Sequence, residues 1–151
     1  MKQHVEISLE EAWSFFSNPA NLAIITPDDM DFSILDDHPG KMYEGMLIRY
    51  KVSPLKGLRL NWTSEITKIK HHEYFIDEQV EGPYSYWHHE HHFKETDSGV
   101  ELKDVLYYQV PFGAFGRMFH KPLVQKKLNS IFEYRQRKVD ELFTNLNVSD
   151  G

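Results

Sequence analysis

The chain of 151 residues contains no cysteine. That absence excludes a disulfide framework, a thiolate metal site and a cysteine nucleophile, and it is compatible with a reducing, cytoplasmic compartment. Long apolar runs are missing too: no stretch approaches the roughly 18 residues of a membrane-spanning helix, and the N-terminus lacks the apolar segment of a signal peptide. Basic charge is scarce. With 17 Lys and Arg against 23 Asp and Glu, the formal net charge is −6, whereas a nucleic-acid partner would require a basic face. The one basic cluster, Lys126, Lys127, Arg135, Arg137 and Lys138, reads as a solvated helix face. Repeats, linkers and low-complexity segments are also lacking, so a single domain is predicted over residues 1–146, with a frayed polar tail at 147–151.

Aromatic residues, at 14% of the chain, are plentiful, which points to a large interior or a pocket lined by rings. They are densest from Glu81 to Phe93. Gly82-Pro83 marks a turn, and the following residues suit a half-buried strand. Because side chains alternate along a strand, Trp87, His89, His91 and Phe93 share one face, and Tyr84, Tyr86, His88, Glu90 and His92 share the other. The first set is the predicted inward face, since it brings an indole and a phenylalanine to the core.

The rest of the chain supplies the other walls. Lys2 to Ile7 alternates as a short strand; Ser8 is a helix N-cap, followed by Glu10 and Glu11 in the first turn. Leu9, Ala12, Trp13 and Phe16 form one apolar helix face that ends at Asn18-Pro19, and a second short helix is predicted from Ala20 to Ile25. From Asp31 the period changes to two. Strands are expected around Phe32 and Ile34, with a turn at His38-Pro39-Gly40, then through Met46, Ile48, Tyr50 and Val52, then with Leu58, Leu60, Trp62 and Ile66 inward. Tyr74 to Glu81, the Trp87 segment, and Val100 to Val110 with Asp104 and Tyr108 on one side complete an antiparallel meander, since no helix fits between them. Pro111-Phe112-Gly113-Ala114-Phe115-Gly116 is an apolar, glycine-punctuated loop, and Leu123 to Phe143 recurs at helical spacing as one long amphipathic helix.

This order resembles the helix-grip fold of the SRPBCC superfamily, which includes START-like and polyketide cyclase/dehydrase-like proteins, and within it a small uncharacterised bacterial subgroup. Matching segments are Trp13 to Pro19 with Asn21-Leu22 and Ile25-Thr26-Pro27, Tyr43 to Met46, Trp62 to Ile66, Asp77 to Gln79, Gly82-Pro83-Tyr84 with Trp87 to His91, Asp104 with Tyr107, Pro111 to Gly113, and Ile131 to Arg135. The resemblance implies an α+β fold in which a curved antiparallel sheet of six to seven strands wraps a long C-terminal helix, with two short helices after the first strand. It also implies a cavity between sheet and helix. Relatives usually carry several residues ahead of the position matched by Lys2, so a short first strand is expected.

The expected function is binding of a small hydrophobic or aromatic molecule in that cavity, by a monomer or weak homodimer. The candidate lining residues are Tyr50, Trp62, Trp87, His89, His91, Asp104, Tyr108, Phe112, Phe115, Leu128 and Phe132, with Phe112 and Phe115 as an apolar gate hinged at Gly113 and Gly116. One alternative is a cyclase/dehydrase-like enzyme that uses His89 or His91 with Asp104 or Asp77 as a general base, and Tyr50 or Tyr108 as proton donor. Another is a protein-interaction module docking through Phe112 and Phe115. On one strand face His89 and His91 lie about 7 Å apart by strand rise, as do His88, Glu90 and His92 on the other, but a metal would need further ligands such as Glu65, Asp77 or Asp104. Spacing alone fixes no such convergence, so neither a metal nor another cofactor is assigned.

Overall fold

A computed structural model describes residues 1–37, 40–55, 57–111, 113 and 121–149, with the backbone alone described at 55, 121 and 145–149. Phe112 and Phe115, and with them the gate and the docking loop, lie outside the described residues, as do His38 and Pro39 of the first expected turn.

Strand β1 (Lys2–Val5) leads into helix α1 (Leu9–Phe16). The helix starts at Ser8 because that residue closes a capping box. Its Oγ accepts the Glu11 N–H at 3.2 Å, while its own N–H donates to the Glu11 carboxylate at 2.9 Å. Where one short helix was expected over Ala20 to Ile25, there are two tight 3-10 turns, Pro19–Ala23 and Asp28–Met30. Asn18 caps the first and Pro27 interrupts continuation, which leaves no room for an α-helical ladder.

Six strands follow: β2 (Ser33–Ile34), β3 (Leu47–Leu55), β4 (Leu58–Lys70), β5 (Tyr74–Glu81), β6 (Tyr86–Thr96) and β7 (Gly99–Gln109). They pair in sequence order, and β1 returns to close the far edge against β7, giving the order β1-β7-β6-β5-β4-β3-β2 with every pair antiparallel. Register shifts at Val52/Leu55, Thr63/Ser64 and Ile66/Lys68 bend the sheet as bulges do. At the β1/β7 edge the backbones approach so closely that a Cβ on Gly99 would meet the Val5 carbonyl oxygen at 2.1 Å, which admits only glycine there.

Helix α2 (Lys121–Ser149) packs on the concave face and buries Leu128, Val139 and Phe143. Its helical backbone runs to Ser149. Gln3 ties it to the edge strand, donating from Nε2 to the Gln136 carbonyl at 2.8 Å and to Asp140 Oδ1 at 2.7 Å. Leu58, expected inward, sits at the distal end of β4 and is exposed. The architecture is otherwise the α+β helix-grip arrangement, with seven strands. Its core is solid under α1, where Trp13, Phe75, Phe93, Val100, Val139 and Phe143 pack together. A second aromatic cluster gathers Met30, Val52 and Trp62 with Tyr50, Tyr84, Trp87 and Ile131.

Candidate functional site

Between these clusters lies a cavity of about 140 Å³. Its apolar walls come from Phe15 and Phe16 of α1, Leu22 and Ile25 of the following turn, Met42, Ile48, Ile66 and Phe75. Trp87 of β6 and Ile131 and Phe132 of α2 close it. One end is polar: Tyr50, Ser64, Asp77, His89, His91 and Arg135 converge there.

Sheet register builds that end. Asp77 lies across from His89 on β5/β6, and Asp104 across from His91 on β6/β7, so the two imidazoles are sandwiched between two carboxylates. Each carboxylate reaches diagonally as well as straight across. Asp77 Oδ2 stands 2.8 Å from His91 Nε2 and 3.5 Å from His89 Nδ1, while Asp104 Oδ1 stands 3.0 Å from His89 Nε2 and 3.1 Å from His91 Nδ1. The imidazole rings lean together to a centroid separation of 3.9 Å, and Phe75 stacks on His91 at 4.2 Å. Arg135 of α2 approaches Asp104 Oδ1 with Nη1 at 3.5 Å and lies over the Phe132 ring. Its buried Nε–H has no hydrogen-bond partner among the described residues. Tyr50 Oη lies 3.3 Å from Ser64 Oγ, which also accepts the Trp62 indole N–H at 3.1 Å.

Burial and pairing compete in every one of these groups. Burial lowers the pKa of His89, the neighbouring His91 charge adds to this, and the Asp104 hydrogen bond does not offset them, so the ring is held neutral. For His91 burial also acts downward, but its bonds to Asp104 and Asp77 prevail and raise the pKa. Burial would raise both carboxyl groups; the imidazoles and Arg135 overcome it, leaving Asp77 lowered and Asp104 well below the usual range. The Tyr50 phenol is pushed well above its ordinary value by burial and by the Asp77 charge.

Of the predicted lining residues, Tyr50, Trp87, His89, His91 and Phe132 border the cavity. Asp104 stands one layer behind, holding the histidines. Trp62 does not line the cavity; it is buried beside Tyr50, with the rings stacked at 5.8 Å. Tyr108 belongs to the outer end of β7, where its hydroxyl donates to Gln125 Oε1 at 2.9 Å. Leu128 is buried away from the cavity. Sequence reasoning passed over Ser64, although its parity with Trp62 and Ile66 could have found it, and over Phe15 and Met42, for which no period-two signal exists. One donor-rich constellation also emerges: Asp77, His89 and His91 each present a ligand atom, all within 4.8 Å of one another.

The fold is shared with solved bacterial proteins. The crystal structure of TTHA0849 from Thermus thermophilus superposes with a TM-score of 0.72 at 16% identity, over 97% of this chain and 96% of that one. Protein Ms6760 from Mycobacterium smegmatis gives 0.69 at 14% identity, over 96% and 89% of the two chains. A Rhodobacter sphaeroides protein gives 0.71 at 15%, over 96% and 90%. No curated protein matches the sequence. A family model described as "Polyketide cyclase / dehydrase and lipid transport" matches residues 5–132. By that match over most of its length, the chain belongs to the polyketide cyclase/dehydrase and lipid transport family, of the SRPBCC type.

Proposed function

We propose that the protein binds a small apolar molecule, of about one aromatic ring and one hydrogen-bonding group, in the cavity between sheet and α2. The observation that carries this reading is the pairing of a mainly apolar chamber of about 140 Å³ with the polar cluster of Tyr50, Ser64, Asp77, His89, His91 and Arg135 in its wall. A void of that size lined by hydrocarbon suits a single benzene-like ring, with apolar burial contributing about 25 cal/mol per Å². Ser64, Tyr50 and the histidines orient the polar group. The binder is cytoplasmic and monomeric or weakly dimeric on this reading, with no nucleic-acid partner.

The test uses phenol as the probe. Saturable quenching of tryptophan fluorescence, reporting through Trp87, and a raised Tm are expected; Ile131→Phe, which fills the chamber, should abolish both with the fold retained. Absence of quenching at millimolar probe, or quenching unaffected by Ile131→Phe, would sink the proposal.

A second reading, a cyclase/dehydrase-like enzyme, is favoured by the orientation of His89. Asp104 holds Nε2 at 3.0 Å, leaving Nδ1 on the cavity side as a candidate general base. It predicts accelerated hydrogen–deuterium exchange at the central carbon of acetylacetone, followed by NMR and lost in His89→Gln. Exchange at the buffer rate would exclude it.

A further inference from the structure

We propose that Asp77, His89 and His91 form a mononuclear site for a first-row divalent metal, of the two-histidine, one-carboxylate type, with open coordination positions facing the cavity. His89 Nδ1 and His91 Nε2 address the same oxygen, Asp77 Oδ2, at 3.5 and 2.8 Å. Metal bonds of about 2.1 Å place neighbouring ligand atoms about 3.0 Å apart at right angles and about 3.4 Å apart at the tetrahedral angle; the two distances to Asp77 Oδ2 are close to these, and all three ligand atoms lie within 4.8 Å of one another, so the side chains draw together to seat an ion.

The layer behind the ligands points the same way. Asp104 Oδ1 lies 3.0 Å from His89 Nε2 and 3.1 Å from His91 Nδ1; the first contact holds the His89 proton at Nε2 and leaves its Nδ1 free to ligate, and the second offers His91 the same partner once an ion replaces the proton between His91 Nε2 and Asp77. With that proton gone, His89 Nδ1, His91 Nε2 and the Asp77 carboxylate are three acceptors around one point. Such a point repels itself unless a cation or a proton sits there.

Charge and position select the Asp77 side. Arg135 comes within 3.5 Å of Asp104 and would repel a cation there; the same guanidinium borders the chamber and also acts on Asp77, where the two carboxylates offset its charge. Asp77, His89 and His91 border the cavity whereas Asp104 does not, so the remaining coordination positions open toward the chamber. Asp77, Asp104 and Arg135 sum to one net negative charge, which a divalent ion reverses. All three ligands stand on adjacent strands, a rigid support for fixed geometry. Two imidazole nitrogens and one carboxylate oxygen, without thiolate, suit Zn²⁺, Co²⁺ or Fe²⁺ better than the all-oxygen cations Ca²⁺ and Mg²⁺.

The site stands whether or not the apolar probe binds, and the experiment keeps the two apart. Full-length protein stripped with EDTA is titrated with Zn²⁺ by calorimetry and with Co²⁺ by visible absorption, and the histidine ring nitrogens are followed by ¹⁵N NMR. One equivalent is expected to bind, with His89 Nδ1 and His91 Nε2 alone moving to metal-bound shifts, a wild-type readout independent of whether variants fold. His91→Ala and Asp77→Ala should lose the stoichiometric site, while the outward double variant His88→Ala/His92→Ala keeps it. No one-equivalent binding, unmoved shifts at those two nitrogens, or loss confined to the outward variant would overturn the site. Phenol titrations of the stripped protein judge the apolar reading separately.

Discussion

The two faces of β6 carry two histidines each, and they behave as different chemistry. Inward, His89 and His91 are buried between two aspartates, with Arg135 closing the charge balance. Outward, His88 and His92 form a ladder with glutamates on a partly exposed surface: Glu90 meets His88 Nε2 at 3.2 Å and His92 Nε2 at 2.7 Å, and Glu78 meets His88 Nδ1 at 2.7 Å. Distances are alike on the two sides. What differs is water, because in the dry interior each missing partner leaves a charge that nothing else can solvate, whereas outside a solvent molecule replaces it.

The largest expected effect breaks the inner face. Asp104→Ala removes the acceptor of both imidazoles and of Arg135, and should destabilise the fold by about 3–5 kcal/mol in urea unfolding. A loss below about 1 kcal/mol would mean that the two faces are energetically equivalent. Next comes alkaline pH. Burial, with a smaller contribution from Tyr108, raises the Tyr84 phenol to about 12 from an ordinary 10.0. Because the folded state favours the neutral phenol, its contribution is complete below pH 10 and disappears as pH rises through 12. The stability of wild type should therefore fall relative to that of Tyr84→Phe across that window; parallel curves would contradict the burial argument. The smallest effect lies outside: Glu90→Gln should change unfolding free energy by less than about 1 kcal/mol despite breaking two short contacts.

Parity made the inner set legible from sequence. Trp87, His89, His91 and Phe93 share a face by alternation alone, and Phe93 is buried as the core logic requires. Asp77 and Asp104 could be named as partners, but not placed, since their positions opposite His89 and His91 depend on the registers of two hairpins. Tyr108 and Trp62 have the inward parity and still miss the cavity, because parity chooses a side of the sheet and says nothing of distance along the strand. Phe15 and Met42 belong to a helix and a loop whose orientation is set by tertiary packing, which no local period records. Ser64 was hidden by its polarity: an inward serine looks like a break in a hydrophobic pattern until its bonds to Tyr50 and Trp62 are seen.

The edge strand tied down by Gln3 bears on the order of assembly. From β3 to β7 every pairing is a hairpin between neighbours in the chain, whereas Lys2 must find Lys103 and Gln3 must find Asp140 before the ring of sheet and helix is complete. Closing such long loops is the slow, entropically costly step, so the meander is expected to form early, with β1 and α2 docking late and together. The chamber is thus complete only once that slow step has been crossed. In a chevron experiment, an occupant of that chamber should slow the unfolding limb while leaving the folding limb in place, so that retention of the ligand and lifetime of the native state become one quantity.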